Sequence, residues 1–251
     1  MRALTFSALP GIGEVHPGDD LARTLATALD RLGIEGAAHQ VLIVTQKVVS
    51  KAQGRYVELG SVEVSPRAIE LAAVTRKDPR LVELILRESV EVLRAKADVL
   101  IVRHRLGFVM ANAGIDRSNV AGQDRVLLLP LDPEGSAAAL REQIARLCGR
   151  QLAVVICDSF GRPWRRGVTN VALGAAGLPA LLDRRGELDR NGRRLEITEV
   201  ALADQLASAA GLLMGEGAES CPAVLVTGLS WTAASRPASA LIRPLAEDLF
   251  Q

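Results

Sequence analysis

The sequence predicts a mixed α+β fold, because apolar runs of strand length alternate along the chain with stretches of helical periodicity. Three such runs, Gln40–Val44, Val99–Val102 and Ala153–Ile156, have the length of buried strands. The clearest helical stretch is DDLARTLATALDRLG, from Asp19 to Gly33. With 251 residues, 49% of them hydrophobic, the chain has ample core for one large domain or two small ones. No repeat, low-complexity tract or obvious linker divides it. One unit over residues 1–251 is therefore expected, built of two closely associated, entwined lobes with no assignable boundary.

Composition narrows the function. Aromatic residues make up 3% of the chain, so the core rests on Leu, Val, Ile and Ala, and stacking platforms for single-stranded nucleic acid are not expected. Thirty basic and 29 acidic residues nearly cancel, so no global field favours DNA or an anionic membrane. Cys148, Cys157 and Cys221 show no CxxC or His–Cys spacing and read as free thiols in a reducing compartment. The first residues, MRALTFSALPG, lack the apolar core of a signal peptide, and runs such as VLIV are far too short to span a membrane. A cytoplasmic protein without nucleic-acid or membrane partners is expected.

In chain order, a short strand over Ala3–Phe6 leads into LPGIGEVHPG. There Gly11 and Gly13 either let backbone amides approach a ligand or make an ordinary loop. Asp19 or Asp20 caps the first helix, Leu21, Leu25, Ala28, Leu29 and Leu32 form its stripe, and Gly33 stops it. After the strand Gln40–Val44, TQKVVSKAQGR sets Lys47 and Lys51 four apart. On a helix both ammonium groups share a face, where they repel unless an anion lies between them; two solvated lysines are the alternative. Ser65-Pro66 and Asp78-Pro79 start two further helices, the second leading into LVELILRESVEVL. Val99–Val102 is a strand with Phe108–Met110 as hairpin partner, and His104 lies in the loop between them.

ANAGIDRSNVAG follows, gathering Asn112, Gly114, Asp116, Ser118 and Asn119. That composition serves a metal or nucleotide site and equally a turn-rich connector. Leu127–Leu129 is a strand, and LDPEGSAAALREQIARLCGR a helix starting near Ser136, with Leu140, Ile144 and Leu147 at helical spacing. The strand Ala153–Ile156 then ends on Asp158 and Ser159, followed by Gly161, Pro163 and the arginines Arg162, Arg165 and Arg166. An acid at a strand end can hold a hard cation and arginines can bind phosphate or carboxylate; Asp-Ser is also a common helix N-cap. LLDRRGELDRNGRRLEIT reads as an exposed hairpin or loop. Thr198–Met214 is a helix interrupted by Asp204 and Gln205, which are expected to face solvent. Gly215-Glu216-Gly217 either presents a carboxylate on flexible backbone or is a glycine C-cap before the strand Ala223–Val226.

Taken together, the acids and hydroxyl at strand ends form an oxygen-only set without His or Cys. That set suits Mg²⁺ or Mn²⁺ held together with nucleotide phosphates, with lysines and arginines neutralising a transferring phosphoryl group. Neither GxxxxGK[ST] nor GxGxxG occurs, which disfavours the common nucleotide folds.

Several longer motifs carry a resemblance: LPGI at Leu9–Ile12, VVSKAQGR at Val48–Arg55, NAGIDRSNV at Asn112–Val120, LLPLDPEGSA at Leu128–Ala137, CDSFGRPWRRG at Cys157–Gly167 and LLMGEGAESCPAV at Leu212–Val224. On these, along nearly its whole length, the chain resembles the coenzyme F420-0:L-glutamate ligase (F420 γ-glutamyl ligase) family. The resemblance implies that family's fold and a homodimer. It also implies an activity that uses GTP and a divalent cation to join L-glutamate to the deazaflavin precursor F420-0, and then adds further glutamates through γ-linkages. Carried over by motif, the metal ligands are Asp116, Asp158, Ser159 and Glu216, holding Mg²⁺ or Mn²⁺, with K⁺ as a further ion. GTP is assigned to Leu9, Pro10, Gly11 and Ile12, to Gln46, Lys47 and Lys51, and to Asn119. It is also assigned to the run Met214, Gly215, Glu216, Gly217, Ala218, Glu219, Ser220 and Cys221. Lys51, Asp158, Arg165 and Arg166 are the expected catalytic residues.

The chain departs from the family pattern in three places. Ser159 stands where threonine is frequent, Gln46-Lys47 replaces a Ser/Thr pair, and AQG replaces AEG after Lys51. The implied chemistry is attack of the F420-0 carboxylate on the γ-phosphate of GTP, then displacement of phosphate from the acyl phosphate by the glutamate amine. Two rivals stand beside it: a glutamate ligase for another carboxylate acceptor, such as a folate-like molecule, and a non-catalytic F420- or nucleotide-binding protein. Some relatives carry a C-terminal nitroreductase-like domain, which is not expected in a chain ending at Gln251.

Overall fold

The structure, a computed structural model, describes residues 3–34, 39–120, 122 and 124–248. In chain order its principal elements begin with β1 (Thr5–Ala8), α1 (Leu21–Leu32), β2 (Val41–Thr45), α2 (Gln46–Ala52) and β3 (Tyr56–Glu58). They continue with α3 (Pro66–Thr75), α4 (Pro79–Arg87), β4 (Ser89–Lys96), β5 (Val99–His104), β6 (Val109–Ala111) and β7 (Arg125–Leu127). The last are α5 (Pro133–Cys148), β8 (Ala153–Arg162), β9 (Arg165–Ala176), β10 (Leu182–Asp183), β11 (Glu199–Val200), α6 (Leu202–Met214) and β12 (Ala223–Thr227). The fold is α+β, as expected.

The central sheet has the order β1-β12-β2-β8-β9, with β2 and β8 parallel and the other pairs antiparallel. Successive strand residues face opposite sides, so β2 sends Leu42 and Val44 into one core and Val41 and Ile43 into another. The first core is closed by α1 and α5 through Leu25, Leu29, Leu140 and Ile144. The second is closed by α6 through Ala203, Leu206 and Ala210. Because both faces are covered, Val41–Val44 of β2 and the first half of β8 are apolar throughout rather than alternating.

A third core belongs to one contiguous segment inserted between α2 and α5. There α3 and α4 pack Leu71, Leu81 and Ile85 against Leu100, Val102 and Val126 of the small sheets β4-β5-β6 and β3-β7. The two ends of the segment meet, since Leu128 N donates to Arg55 O at 3.0 Å. Glu88 sits near this junction with Arg105 Nη2 at 2.8 Å, Arg55 Nη2 at 3.4 Å and His104 Nε2 at 3.6 Å. Arg55 Nε also donates to Leu129 O, which ties the network to the outgoing chain.

Most helix starts follow their caps. Asp20 accepts from Arg23 N, Ser65 from Ala68 N and Asp78 from Arg80 N, and Gly33 closes α1 at φ 66°. Other bounds differ from expectation. The helix expected near Ser136 starts at Pro133, because Asp132 caps it by accepting from Gly135 N. The helix from Asp78-Pro79 stops at Arg87, and SVEV belongs to β4. Two register shifts in β4 break the period-two alternation that marks a strand. The helix expected over Thr198–Met214 starts at Leu202, since Glu199 and Val200 pair with β10. His104 is the last residue of β5 and is buried, not a loop residue, and Asp204 turns inward to accept from Ala172 N. Gln205 does face solvent.

The strand read as Ala153–Ile156 is longer than it looks. β2 accompanies β8 only as far as Cys157, and from Asp158 onward β8 and β9 continue together as a two-stranded ribbon. No helix among the described residues is long and apolar enough to cross a membrane.

Candidate active site

Where β2 ends at Thr45, the chain turns directly into α2 and leaves the edge of β8 open from Asp158 onward. A cavity of about 410 Å³ occupies that gap, at the carboxyl ends of the two parallel strands. It is lined by Ile12–Val15, by Thr45 and the first turns of α2, by Cys157, Asp158 and Ser159 on β8 with Asn170 on β9, by Asn119, and by the turn that leads from α6 into β12.

Lys47 and Lys51 both reach this cavity, and each has its own acid. Lys47 Nζ is 2.8 Å from Asp116 Oδ2 and donates to Ser118 Oγ at 2.8 Å. Asp116 Oδ1 in turn accepts from the N–H and hydroxyl of Ser118, both at 2.7 Å. Lys51 donates to the Glu14 carboxylate. No shared anion bridges the lysines: each is paired with its own acid, and opposite charges relieve their repulsion, with Lys47 part-exposed. Lys51 is buried, so its cationic head belongs to the wall of the site and not to a free surface.

Asp158 is strongly perturbed. Burial pushes its carboxyl up to about 7, and the charges of Asp116 and Glu216 add to the rise against the Ser159 N–H and Lys47. Burial, then the charges of Asp158 and Glu216, raise the Cys157 thiol, so this cysteine lines the cavity as a neutral group and not as a nucleophile. Asn170 stands opposite Ser159 in the ribbon, with Nδ2 3.7 Å from Met214 Sδ.

Of the residues assigned by resemblance, Ile12, Lys47, Lys51, Asn119, Asp158 and Ser159 line the cavity. So do Met214, Gly215, Glu216, Gly217, Ala218, Ser220 and Cys221. Glu219 braces that turn from outside the lining by accepting from Gly217 N at 2.8 Å. Gly215 adopts φ 69°, and a Cβ there would meet the Glu219 carboxyl. Asp116 stands behind Lys47.

The remaining assignments lie elsewhere. Leu9 is buried, and neither it, Pro10 nor Gly11 lines the cavity. Gln46 is fully buried and accepts from Ser50 Oγ; it points inward because it shares the Ser50 face of α2, about 100° round the helix from Lys47. Arg165 and Arg166 are exposed on the ribbon outside the cavity, where Arg162 donates to Arg166 O. Sequence reasoning missed Glu14, Thr45 and Asn170. A hairpin register through Ser159 would have pointed to Asn170; nothing local marks Glu14.

The donor set fits a hard cation by its chemistry. Three carboxylates are close enough for two of them to raise the third, and a hydroxyl adjoins it. Among the described residues no three acid, His or Cys side chains converge on one point. A cation here would therefore complete its shell with phosphate oxygens and water, as Mg²⁺ does.

Comparison with known proteins gives the family. The sequence model of the F420-0:Gamma-glutamyl ligase family matches residues 11–228. A coenzyme F420:L-glutamate ligase from Methanopyrus kandleri is 45% identical over 255 residues, covering 100% of this chain and 99% of its own. Another of that name, from Methanothermobacter thermautotrophicus, is 41% identical over 250 residues and 99% of each chain. A third, from Haloarcula marismortui, is 44% identical over 225 residues, 87% of this chain and 85% of its own. With a fold, a cavity and a family match that all run through the same segments, the chain belongs to the F420-0:gamma-glutamyl ligase family.

Proposed function

We propose that the protein is a GTP-dependent ligase that forms an amide between L-glutamate and F420-0 and then adds further glutamate by γ-linkage. The observation that carries this reading is the convergence of Lys47, Lys51, Asp158 and Ser159 on one cavity. A carboxylate is a poor electrophile, so the acceptor carboxylate first attacks the γ-phosphate of GTP, forming an acyl phosphate and releasing GDP. The glutamate amine then attacks the acyl carbon, expels phosphate and loses a proton to give the amide.

Lys47 and Lys51 would neutralise the phosphoryl oxygens, exchanging Asp116 and Glu14 for phosphate. Backbone of the Gly215–Cys221 turn and Asn119 would hold the nucleotide. Mg²⁺ or Mn²⁺, held by Asp158, Ser159, Glu216 and Asp116, would supply further charge neutralisation on the phosphates; K⁺ is a further expected ion. Arg165 and Arg166, with Arg162, would bind the anionic groups of F420-0 or glutamate from the ribbon. The working form would be a cytoplasmic homodimer.

Mass spectrometry of F420-0 incubated with protein, GTP, L-glutamate and Mn²⁺ tests the reading, with ATP and no-metal controls. Product one glutamyl unit heavier, formed only with GTP and metal, is expected, and a ladder marks repeated γ-linkage. GTP binding without product on F420-0 would favour another acceptor, such as a folate-like one. Nucleotide or F420 binding with no phosphate release on any acceptor would favour a non-catalytic binder.

A further inference from the structure

A second cavity, of about 320 Å³, adjoins the first. Val171 on its wall is the cross-strand partner of Asp158 on the wall of the first. Residues directly opposite in an antiparallel pair share a face, with Cβ atoms about 4.5–5.5 Å apart. Phe160, two residues beyond Asp158 and so about 7 Å along the same face, also lines the second cavity.

The floor of this cavity is apolar and aromatic. Phe108 and Phe160 meet edge to face with ring centroids 6.1 Å apart. Its polar groups are few. Arg103 is buried, donates from Nε to Glu91 at 3.3 Å, and has Nη2 3.7 Å from Asp248 with no hydrogen bond made by that nitrogen. Asp204 accepts from Ala172 N at 2.9 Å, and its carboxylate lines the cavity as an acceptor.

An apolar aromatic floor with one underused donor, Arg103, and one carboxylate acceptor, Asp204, suits a planar heteroaromatic ring with carbonyl and ring N–H groups. It suits a free amino acid dicarboxylate poorly, because Arg103 and Arg243 are matched by Asp204 and Asp248 and no net positive charge remains. We propose that this cavity binds the ring of the carboxylate acceptor, whose tail then passes the Asp158–Val171 pair to bring its carboxylate into the first cavity. The proposal rests on the ligase reading above and gives it a second subsite.

The test separates the two. The probe is the deazaflavin alcohol that keeps the ring and ribityl chain but lacks phosphate and carboxylate. It is titrated by fluorescence onto the full chain without nucleotide, glutamate or metal. Val109 lines the cavity and is 44% exposed, so Val109→Trp can block the cavity without loading the core. Val109→Trp is expected to weaken probe binding at least tenfold and to raise the KM for F420-0 in parallel. GDP binding by calorimetry is expected to be unchanged, which also reports that the variant is folded. Arg103→Met is expected to weaken the probe several-fold. A wild-type protein that does not bind the probe, or equal binding in Val109→Trp, would overturn the proposal. Probe binding lost in Val109→Trp, with no glutamylated product from the wild type, would keep the ring pocket and overturn the ligase reading.

Discussion

Lys51 donates to Glu14 across 37 positions of sequence, and so fastens α2 to the loop between β1 and α1 at the mouth of the cavity. The Lys51 side chain is 7% exposed and that of Glu14 65%, so removing the acid leaves a buried cation without its partner. Glu14→Gln is expected to lower Tm by about 2–4 °C, the shift for roughly 1 kcal/mol in a chain of this size. Saturating GDP should close the deficit by giving Lys51 a new anion. Scanning calorimetry with and without GDP checks this, and a deficit that persists in GDP would remove Lys51 from the phosphate site.

Asp158→Asn keeps the shape of the side chain and removes its charge. Activity should fall at least about a hundredfold, while Tm and circular dichroism stay native, because the lost group works on phosphate and cation and not on packing. Ser159→Ala, which removes one neutral oxygen, should cost about tenfold. Retained turnover in Asp158→Asn would remove that residue from the site.

Arg165 and Arg166 are exposed on the ribbon and outside the cavity, so their alanine variants should leave stability unchanged. If they bind anionic groups of F420-0 or glutamate, the KM for one of these rises about tenfold with the KM for GTP constant. Steady-state kinetics with each substrate varied decides it, and unchanged KM values for both would count against the arginines.

Glu88 provides a pH-dependent brace at the base of the inserted segment. Burial pulls its carboxyl upward, but the His104 imidazole and the charges of Arg105 and Arg55 overcome this and hold it below the ordinary carboxylate range. A depressed carboxyl stabilises the fold above its unfolded pKa and loses that contribution as pH falls through the folded one. Glu88→Gln should therefore cost about 3–5 kcal/mol at pH 7, the usual penalty for breaking a buried pair. The gap from wild type should shrink as pH falls below about 4. Urea unfolding of both proteins at pH 7 and pH 3.5 measures it.

Local signals are legible in the sequence, and long-range ones are not. The caps of α1, α3 and α4 lie within a few residues of the helices they start, so Ser65 and Asp78 mark two of those starts and the pair Asp19–Asp20 marks the third, where the structure selects Asp20. β4 stayed hidden because its bulges erase the alternation, and Asp204 because an acid among apolar residues looks the same whether it meets solvent or a strand N–H. The site followed the same division. The residue types of Lys47, Lys51, Asp158 and Glu216 announced phosphate and cation chemistry, but only the fold reveals that Asp116 and Glu14 partner the lysines. Gln46 was assigned by position in a motif, and the rotation of one residue along a helix turned it inward.

The hydrogen bond between Arg55 and Leu128 also bears on the order in which the chain assembles. The parallel pairing of β2 with β8 must close a loop that contains the whole third core. If that segment folds first, its ends are already pinned side by side, and the loop left to close is only α2, α5 and their short connections. The entropic cost of closure then falls from that of a long flexible chain to that of a short one. Early folding of the insertion thus prepares the register of the central sheet, and changes near Arg55 would slow folding as well as weaken the folded state.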